Sequence, residues 1–245
     1  MIFYPGTHRP NHGARLPRAF ISVNVVRARS PRKPIACPDW IMDSGAFTEL
    51  LTYGKFRHAP AHYAQEVLRF AAHNPGLTAV VTQDWMCEPF ILKQTGLTVA
   101  DHQRHTIARY DQLQELIPAP YLMPVLQGYL VHEYLDHLAQ YGDRLAPGMW
   151  VGVGSICKRN GAPAQVESIL TAIKRARPDL RLHGFGLKTT ALASELVRRC
   201  LHSADSMAWC YAARKQGRDR NSVNEALTFL HKIENQQVQG WLFEP

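Results

Sequence analysis

Short apolar, β-branched runs alternate with longer amphipathic stretches along almost the whole chain, and no other feature constrains the fold as strongly. Runs at 20–26, 40–42, 79–82, 121–126, 149–153, 181–185 and 204–207 read as strands, and 2–4 adds an eighth. Between them, 60–72, 100–116, 132–141, 162–176 and 190–200 carry apolar residues at three- and four-residue intervals, as does 221–236 at the end. Strands separated by helices imply a parallel sheet, because a parallel pair needs a crossover of roughly a dozen residues or more. Eight such units in 245 residues predict a single α/β domain over 1–245, a (β/α)8 TIM-type barrel rather than an open doubly wound sheet.

In a parallel barrel the active site forms where the strands end, so the residues just after each run carry the functional information. The run at 40–42 leads into Asp43-Ser44-Gly45-Ala46-Phe47, and 79–82 leads into Gln83-Asp84-Trp85-Met86-Cys87-Glu88-Pro89. Gln127-Gly128-Tyr129 follows 121–126. The run at 149–153 contains Gly152 and leads into Gly154-Ser155-Ile156-Cys157-Lys158-Arg159, and 181–185 leads into Gly186-Leu187-Lys188. The last run carries Asp205, with Trp209 close behind. Converging carboxylates, an amide and glycines would make a pocket for a flat polar ring.

Each of these residues also has a plainer structural use. Asp43 before Ser-Gly suits an Asx-turn, and Asp84 and Glu88 suit a charged loop. Gly152 and Gly154 suit a strand passing close to other backbone. Cys157 beside Lys158 and Arg159 is either an activated thiolate or an inert thiol. Asp205 differs, because an unpaired carboxylate among small and apolar neighbours is costly, so function explains it better.

The chain has 28 Lys and Arg against 20 Asp and Glu, a net charge of +8, which favours a polyanionic partner without specifying one. The segments 6–18 and 27–38, rich in Pro, Arg and His, read as surface loops. Cys37, Cys87, Cys157, Cys200 and Cys210 are scattered and odd in number, which fits a reducing cytoplasm rather than a disulfide framework. No metal-ligand spacing, signal peptide or membrane-spanning run is present in the sequence.

The order Asp43-Ser44-Gly45-Ala46-Phe47, Asp84 in a Cys-Glu-Pro context, Val125-Leu126-Gln127-Gly128, Val151-Gly152-Val153-Gly154 and a late Asp205 resembles the tRNA-guanine transglycosylase superfamily. Tyr4-Pro5-Gly6-Thr7-His8, His102-Gln103, His183-Gly184-Phe185-Gly186 and Ala204-Asp205-Ser206-Met207-Ala208-Trp209 most resemble its deazapurine DNA-modification branch, the DpdA family. That resemblance implies a (β/α)8 barrel that exchanges guanine in a polynucleotide for a 7-deazaguanine such as preQ0, without a cofactor. By position, Asp205 matches the nucleophile and Asp43 the general acid/base. Asp84, Gln127 and the glycines around Gly154 match recognition of the purine edge. The superfamily's transfer RNA enzymes carry a zinc site of clustered cysteines and a histidine after the nucleophile. Here only Cys210 follows Asp205, so no metal is expected and DNA is the expected polymer.

The residue types suit that reaction. Breaking the bond from C1′ to a purine nitrogen passes through an oxocarbenium-like state, for which one carboxylate nucleophile and one proton carrier suffice. The expected substrate contacts are Ser44, Gly45, Phe47, Asp84, Trp85, Gln127, Gly128, Gly152, Gly154, Ser155, Gly186, Lys188 and Trp209, with Phe47, Trp85, Tyr129 and Trp209 as candidate stacking rings. Lys158, Lys188, Arg159, Arg214, Lys215, Arg218 and Arg220 are the expected phosphate contacts. A transfer RNA enzyme without its zinc module and a non-catalytic nucleic-acid-binding barrel stay open as alternatives. So do self-association and a partner protein that opens the duplex.

Overall fold

A computed structural model describes residues 1–27, 34–159 and 161–236. In chain order the strands are β1 (Ile2–Pro5), β2 (Ala19–Ser22), β3 (Trp40–Asp43), β4 (Leu77–Val81), β5 (Tyr121–Met123), β6 (Val125–Leu126), β7 (Trp150–Val153), β8 (Arg181–Gly184) and β9 (Leu201–Ser206). The helices are α1 (Val23–Val26), α2 (Ala46–Tyr53), α3 (Pro60–Ala71), α4 (Pro89–Thr95), α5 (Val99–Leu116), α6 (Val131–Tyr141), α7 (Pro163–Ala176), α8 (Thr189–Leu192), α9 (Glu195–Cys200), α10 (Ala208–Lys215) and α11 (Val223–Glu234). Pro at the first turn starts α3, α4 and α7, where a missing N–H costs nothing. A Thr98–Asp101 capping box starts α5.

The fold is mixed α/β, with every strand pair parallel. One sheet runs β1-β9-β8-β7-β6 and the other β2-β3-β4-β5. The single strand expected at 121–126 is divided at Pro124, whose nitrogen has no hydrogen to give. Pro124 still accepts a hydrogen bond from Gly152 N–H at 2.8 Å, so the chain passes directly from one sheet to the other. At the other seam, Gly6 bridges Phe20 in parallel, and Thr7 N–H donates to Phe20 O at 2.9 Å.

Alternate residues of the strands enter different apolar clusters. Phe3, Trp40, Met42, Leu77 and Val80 pack towards the helices. Tyr4, Ile41, Ala79, Val81, Met123, Val125 and Trp150 form a second cluster drawn from both sheets. Burial on both faces explains why these runs are continuously apolar.

Several boundaries differ from the sequence-based expectation. The run at 20–26 ends as a strand at Ser22, whose hydroxyl caps the turn α1. The helix expected at 190–200 is two pieces, α8 and α9. Helices α2, α4 and α10 start at the ends of the strand-end clusters, where no helix is expected. The segment 6–18 is a surface loop only in part, with Arg9, Asn11, Ala14, Arg15 and Pro17 exposed. Thr7, Pro10, His12, Gly13 and Leu16 are buried there, and His12 Nε2 meets Asn221 O at 3.0 Å, tying the segment to the chain before α11. The basic loop expected at 27–38 falls partly outside the described residues. Among the described residues no helix is long and apolar enough to cross a membrane.

Candidate active site

The C-terminal ends of the strands surround a cavity of about 370 Å³. Its wall includes Ser22 and Asp43 from β2 and β3, and Val81 and Asp84 from the end of β4. Gln127 contributes after β6, Gly154 and Ser155 after β7, Phe185 and Gly186 after β8, and Asp205 from β9. Residues separated by most of the chain meet because each terminates a strand of the same parallel array.

Asp205 is held from one side. Its Oδ1 accepts the Gly186 N–H at 3.1 Å and lies 3.3 Å from His183 Nε2. Gly186 has φ of +64°, a left-handed backbone that turns its amide towards the carboxylate at no Cβ cost. Behind it runs a buried chain: Trp150 Nε1–H donates to Ser203 Oγ at 2.8 Å, and that oxygen lies 2.9 Å from His183 Nδ1. A serine hydroxyl that receives the indole hydrogen can pass its own to Nδ1, which leaves the imidazole hydrogen on Nε2, facing Asp205. The other neutral tautomer would set a nitrogen lone pair against the carboxylate oxygen. Phe20 stacks on His183 at 5.8 Å and Phe185 meets it edge-on at 4.8 Å, fixing the ring plane.

Asp43 and Asp84 sit in a different environment. Burial, reinforced by the charge of Asp205, pushes Asp43 up from the ordinary carboxylate range to about 6. The Gly45 N–H, 3.1 Å from Oδ2, and the Ser22 hydroxyl oppose that rise. Burial, then the charges of Asp43 and Glu88, push Asp84 up to about 7. Asp43 therefore senses the charge of Asp205, and Asp84 that of Asp43, in a poorly solvated cavity. Asp43 also makes the Asx-type contact with Gly45 that its sequence context suggested, so the structural and chemical uses coexist.

A second hydrogen-bonded chain lines the opposite wall. Gln127 Nε2 donates to Asp84 Oδ2, and Ser155 Oγ lies 2.7 Å from Gln127 Oε1 and 2.9 Å from Glu88 Oε2. Cys87 N–H donates to the same hydroxyl at 2.8 Å. Ser155 adopts φ of +54°, uncommon for a residue with a side chain and characteristic of functional sites. Gly154 is required by space, since a Cβ there would lie 2.1 Å from Gln127 Nε2. Burial pushes the Cys157 thiol up to about 12, so it is a neutral thiol at the cavity wall.

Of the expected substrate contacts, Phe47, Asp84, Gln127, Gly154, Ser155 and Gly186 join Asp43 and Asp205 on the cavity. The others do not line it. Ser44 is buried, Gly45 packs against Asn24, and Gly128 sits under α6. Gly152 faces the Phe185 ring. Trp85 packs on His105 at 4.7 Å, and Trp209 is buried with its indole N–H donating to Gly6 O at 2.8 Å. Lys188 borders a separate groove beside α10. Among the expected phosphate contacts, Arg214, Lys215 and Arg220 are exposed, whereas Arg218 is engaged by Glu225 and Gln216.

Ser22, Glu88, Met207 and His183 escaped the sequence reading as site residues. Alternation along the last strand puts Ser203 on the face of Asp205, but only the β8–β9 register, which pairs His183 with Ser203, brings the imidazole there. Among the described residues no group of three or more His, Cys, Asp or Glu is arranged to hold a metal ion. No curated protein matches the chain. The profile of the family described as DeoxyPurine in DNA protein A, DpdA, matches residues 1–236. That span contains every strand and the whole cavity wall, and the chain belongs to the DpdA family of DNA-modifying transglycosylases.

Proposed function

We propose that this protein replaces guanine in DNA with a 7-deazaguanine of the preQ0 kind through a covalent Asp205–sugar intermediate. The observation that carries the proposal is the pairing, in one cavity, of Asp205, fixed through Oδ1, with Asp43, raised towards neutrality. With Oδ1 occupied by His183 and Gly186, Oδ2 attacks C1′ as the bond to the purine nitrogen breaks. The electron pair leaves on that nitrogen and the Asp43 carboxyl protonates it. In the second half Asp43 takes a proton from the incoming base, whose nitrogen displaces the Asp205 carboxylate. Two inversions at C1′ retain the β configuration.

Asp84 and Gln127, with the Gly154–Ser155 backbone, suit the polar edge of a purine. Lys158, Arg159, Arg214 and Lys215 suit the phosphates of the strand. We further propose that 1–245 forms one unit without a zinc subdomain and that its two sheets are the halves of one closed (β/α)8 barrel. The Gly6–Phe20 bridge, the continuous passage through Pro124 and the apolar cluster shared by both sheets support closure.

The test is incubation with labelled preQ0 or guanine and either DNA or transfer RNA. Label is expected in DNA, with a covalent protein–DNA adduct on a denaturing gel that disappears in Asp205→Ala. Label in transfer RNA alone, or in neither polymer while DNA binding persists, would overturn the proposal.

A further inference from the structure

The lip of the cavity and the surface beside it carry large exposed apolar side chains that the reaction chemistry does not use. Phe47, at the start of α2, and Met207, after β9, both line the cavity and are each 42% exposed. Tyr129, two residues beyond Gln127, is 36% exposed, and Tyr211, one helical turn beyond Met207, is 48% exposed. Apolar groups this large are normally withdrawn from solvent or reserved for a partner.

Each of the three rings carries a cation over it. Lys158 Nζ lies 5.4 Å from the Phe47 centroid, and the Arg159 guanidinium lies 4.0 Å from that of Tyr129. Lys215 and Arg214 lie 5.0 and 5.3 Å from the ring of Tyr211. The Lys158–Phe47 contact joins the loop after β7 to the helix after β3, so the pair belongs to the lip rather than to one local element. Rings interleaved with cations match the chemistry of an unpaired polynucleotide, whose bases expose stacking faces while its phosphates run alongside. A closed duplex hides those faces, and it also keeps each glycosidic bond away from recessed carboxylates such as Asp84 and Asp205.

We infer that this rim is a docking surface for single-stranded DNA: the target nucleotide enters the cavity while its neighbours stack on Phe47, Tyr129 and Tyr211 and their phosphates meet Lys158, Arg159, Arg214 and Lys215. The inference rests on the proposed DNA base exchange and adds the strand state of the substrate. Its test uses Asp205→Asn, which separates binding from chemistry. A fluorescently labelled oligonucleotide with one guanine is titrated as a single strand, as a perfect duplex and as a duplex with that guanine bulged.

Single-stranded and bulged DNA are expected to bind at least tenfold more tightly than the duplex. Phe47→Ala and Tyr129→Ala should each weaken single-strand binding by between roughly 5-fold and 150-fold, with Phe47→Trp and Tyr129→Phe restoring it. Both positions are exposed, and unchanged melting temperatures will verify folding. Equal affinity for duplex and single strand, or alanine variants that bind as tightly as their parent, would overturn the rim. An unsubstituted enzyme that still labels DNA in that case leaves the transglycosylase reading standing.

Discussion

Acids on the outer surface and acids at the cavity are treated in opposite ways. Away from the cavity, guanidinium groups lie against the carboxylates: Arg57 on the buried Glu49 and, at the surface, Arg104 on Asp101, Arg144 on Asp111 and Arg177 on Asp179. Hydrogen bonds from Arg57, Thr98 and Arg177 hold Glu49, Asp101 and Asp179, respectively, below the ordinary range. At the cavity no arginine or lysine forms an ion pair with Asp43, Asp84 or Asp205 among the described residues, and the one charged-type partner is the His183 imidazole on Asp205. The surface keeps its carboxylates ionised and inert. The cavity withholds cations, so that Asp43 can carry a proton near neutral pH; in the proposed exchange, the positive charge developing on the sugar would supply the missing partner.

The comparison breaks most visibly at Asp205. Asp205→Asn should reduce base exchange by roughly 10⁴-fold or more, measured as label transfer, while leaving the melting temperature within a few degrees. At Asp43, Asp43→Asn should lower covalent adduct formation by roughly 10²- to 10⁴-fold. Its pH dependence carries a definite sign. The donor form of Asp43 is the protonated one, so single-turnover guanine release by the unsubstituted enzyme should fall as pH rises through about 6, and this limb should vanish in the variant. His183→Gln, which can offer a side-chain N–H to Asp205, should retain more activity than His183→Phe. The latter should lose roughly 10²-fold in kcat with little change in KM, as expected of a residue that positions the nucleophile.

Stability sharpens the contrast further. Asp43 and Asp84 are raised on folding, so the folded state is favoured while both are protonated, at low pH. That advantage is lost as pH rises through about 6 and then about 7. The unfolding free energy from denaturant titration should therefore fall from pH 5 to pH 8.5 by an amount on the order of a few kcal/mol, and Asp84→Asn should narrow the difference. Glu49, with its lowered value, contributes in the opposite direction, losing its advantage only as pH falls through its own titration. The smallest effect belongs to Arg144→Ala. Its pair with Asp111 is solvent-exposed, so its removal should cost about 0–1 kcal/mol and leave exchange unchanged.

Trp209 and Tyr211 show where the sequence stopped being legible. Placed only as a ring close behind Asp205 at the end of the last strand, Trp209 is the obvious ring for a substrate. Folded as α10, residues two apart point in different directions, so Trp209 enters the core while Met207 and Tyr211 face outwards. Trp85 was misleading for a related reason: the turn after β4 sends it towards His102, His105 and Phe56 rather than into the cavity. The sequence around His183 assigns the imidazole no role. A strand's period of two says which neighbours share its face, whereas contact with Asp205 requires the register of a strand about twenty residues further along.

Apolar periodicity and chain length alone determined the alternating parallel architecture, and residue type after each strand alone marked Asp43, Asp84, Gln127 and Asp205. Those are local signals, written in a side chain and its near neighbours. Only the tertiary structure decided which of those groups share a cavity, which oxygen of Asp205 is held, and that Asp43 and Asp84 rise while the surface acids fall. Solvation and charge act through space, and the groups that set them here come together only when the strands have paired.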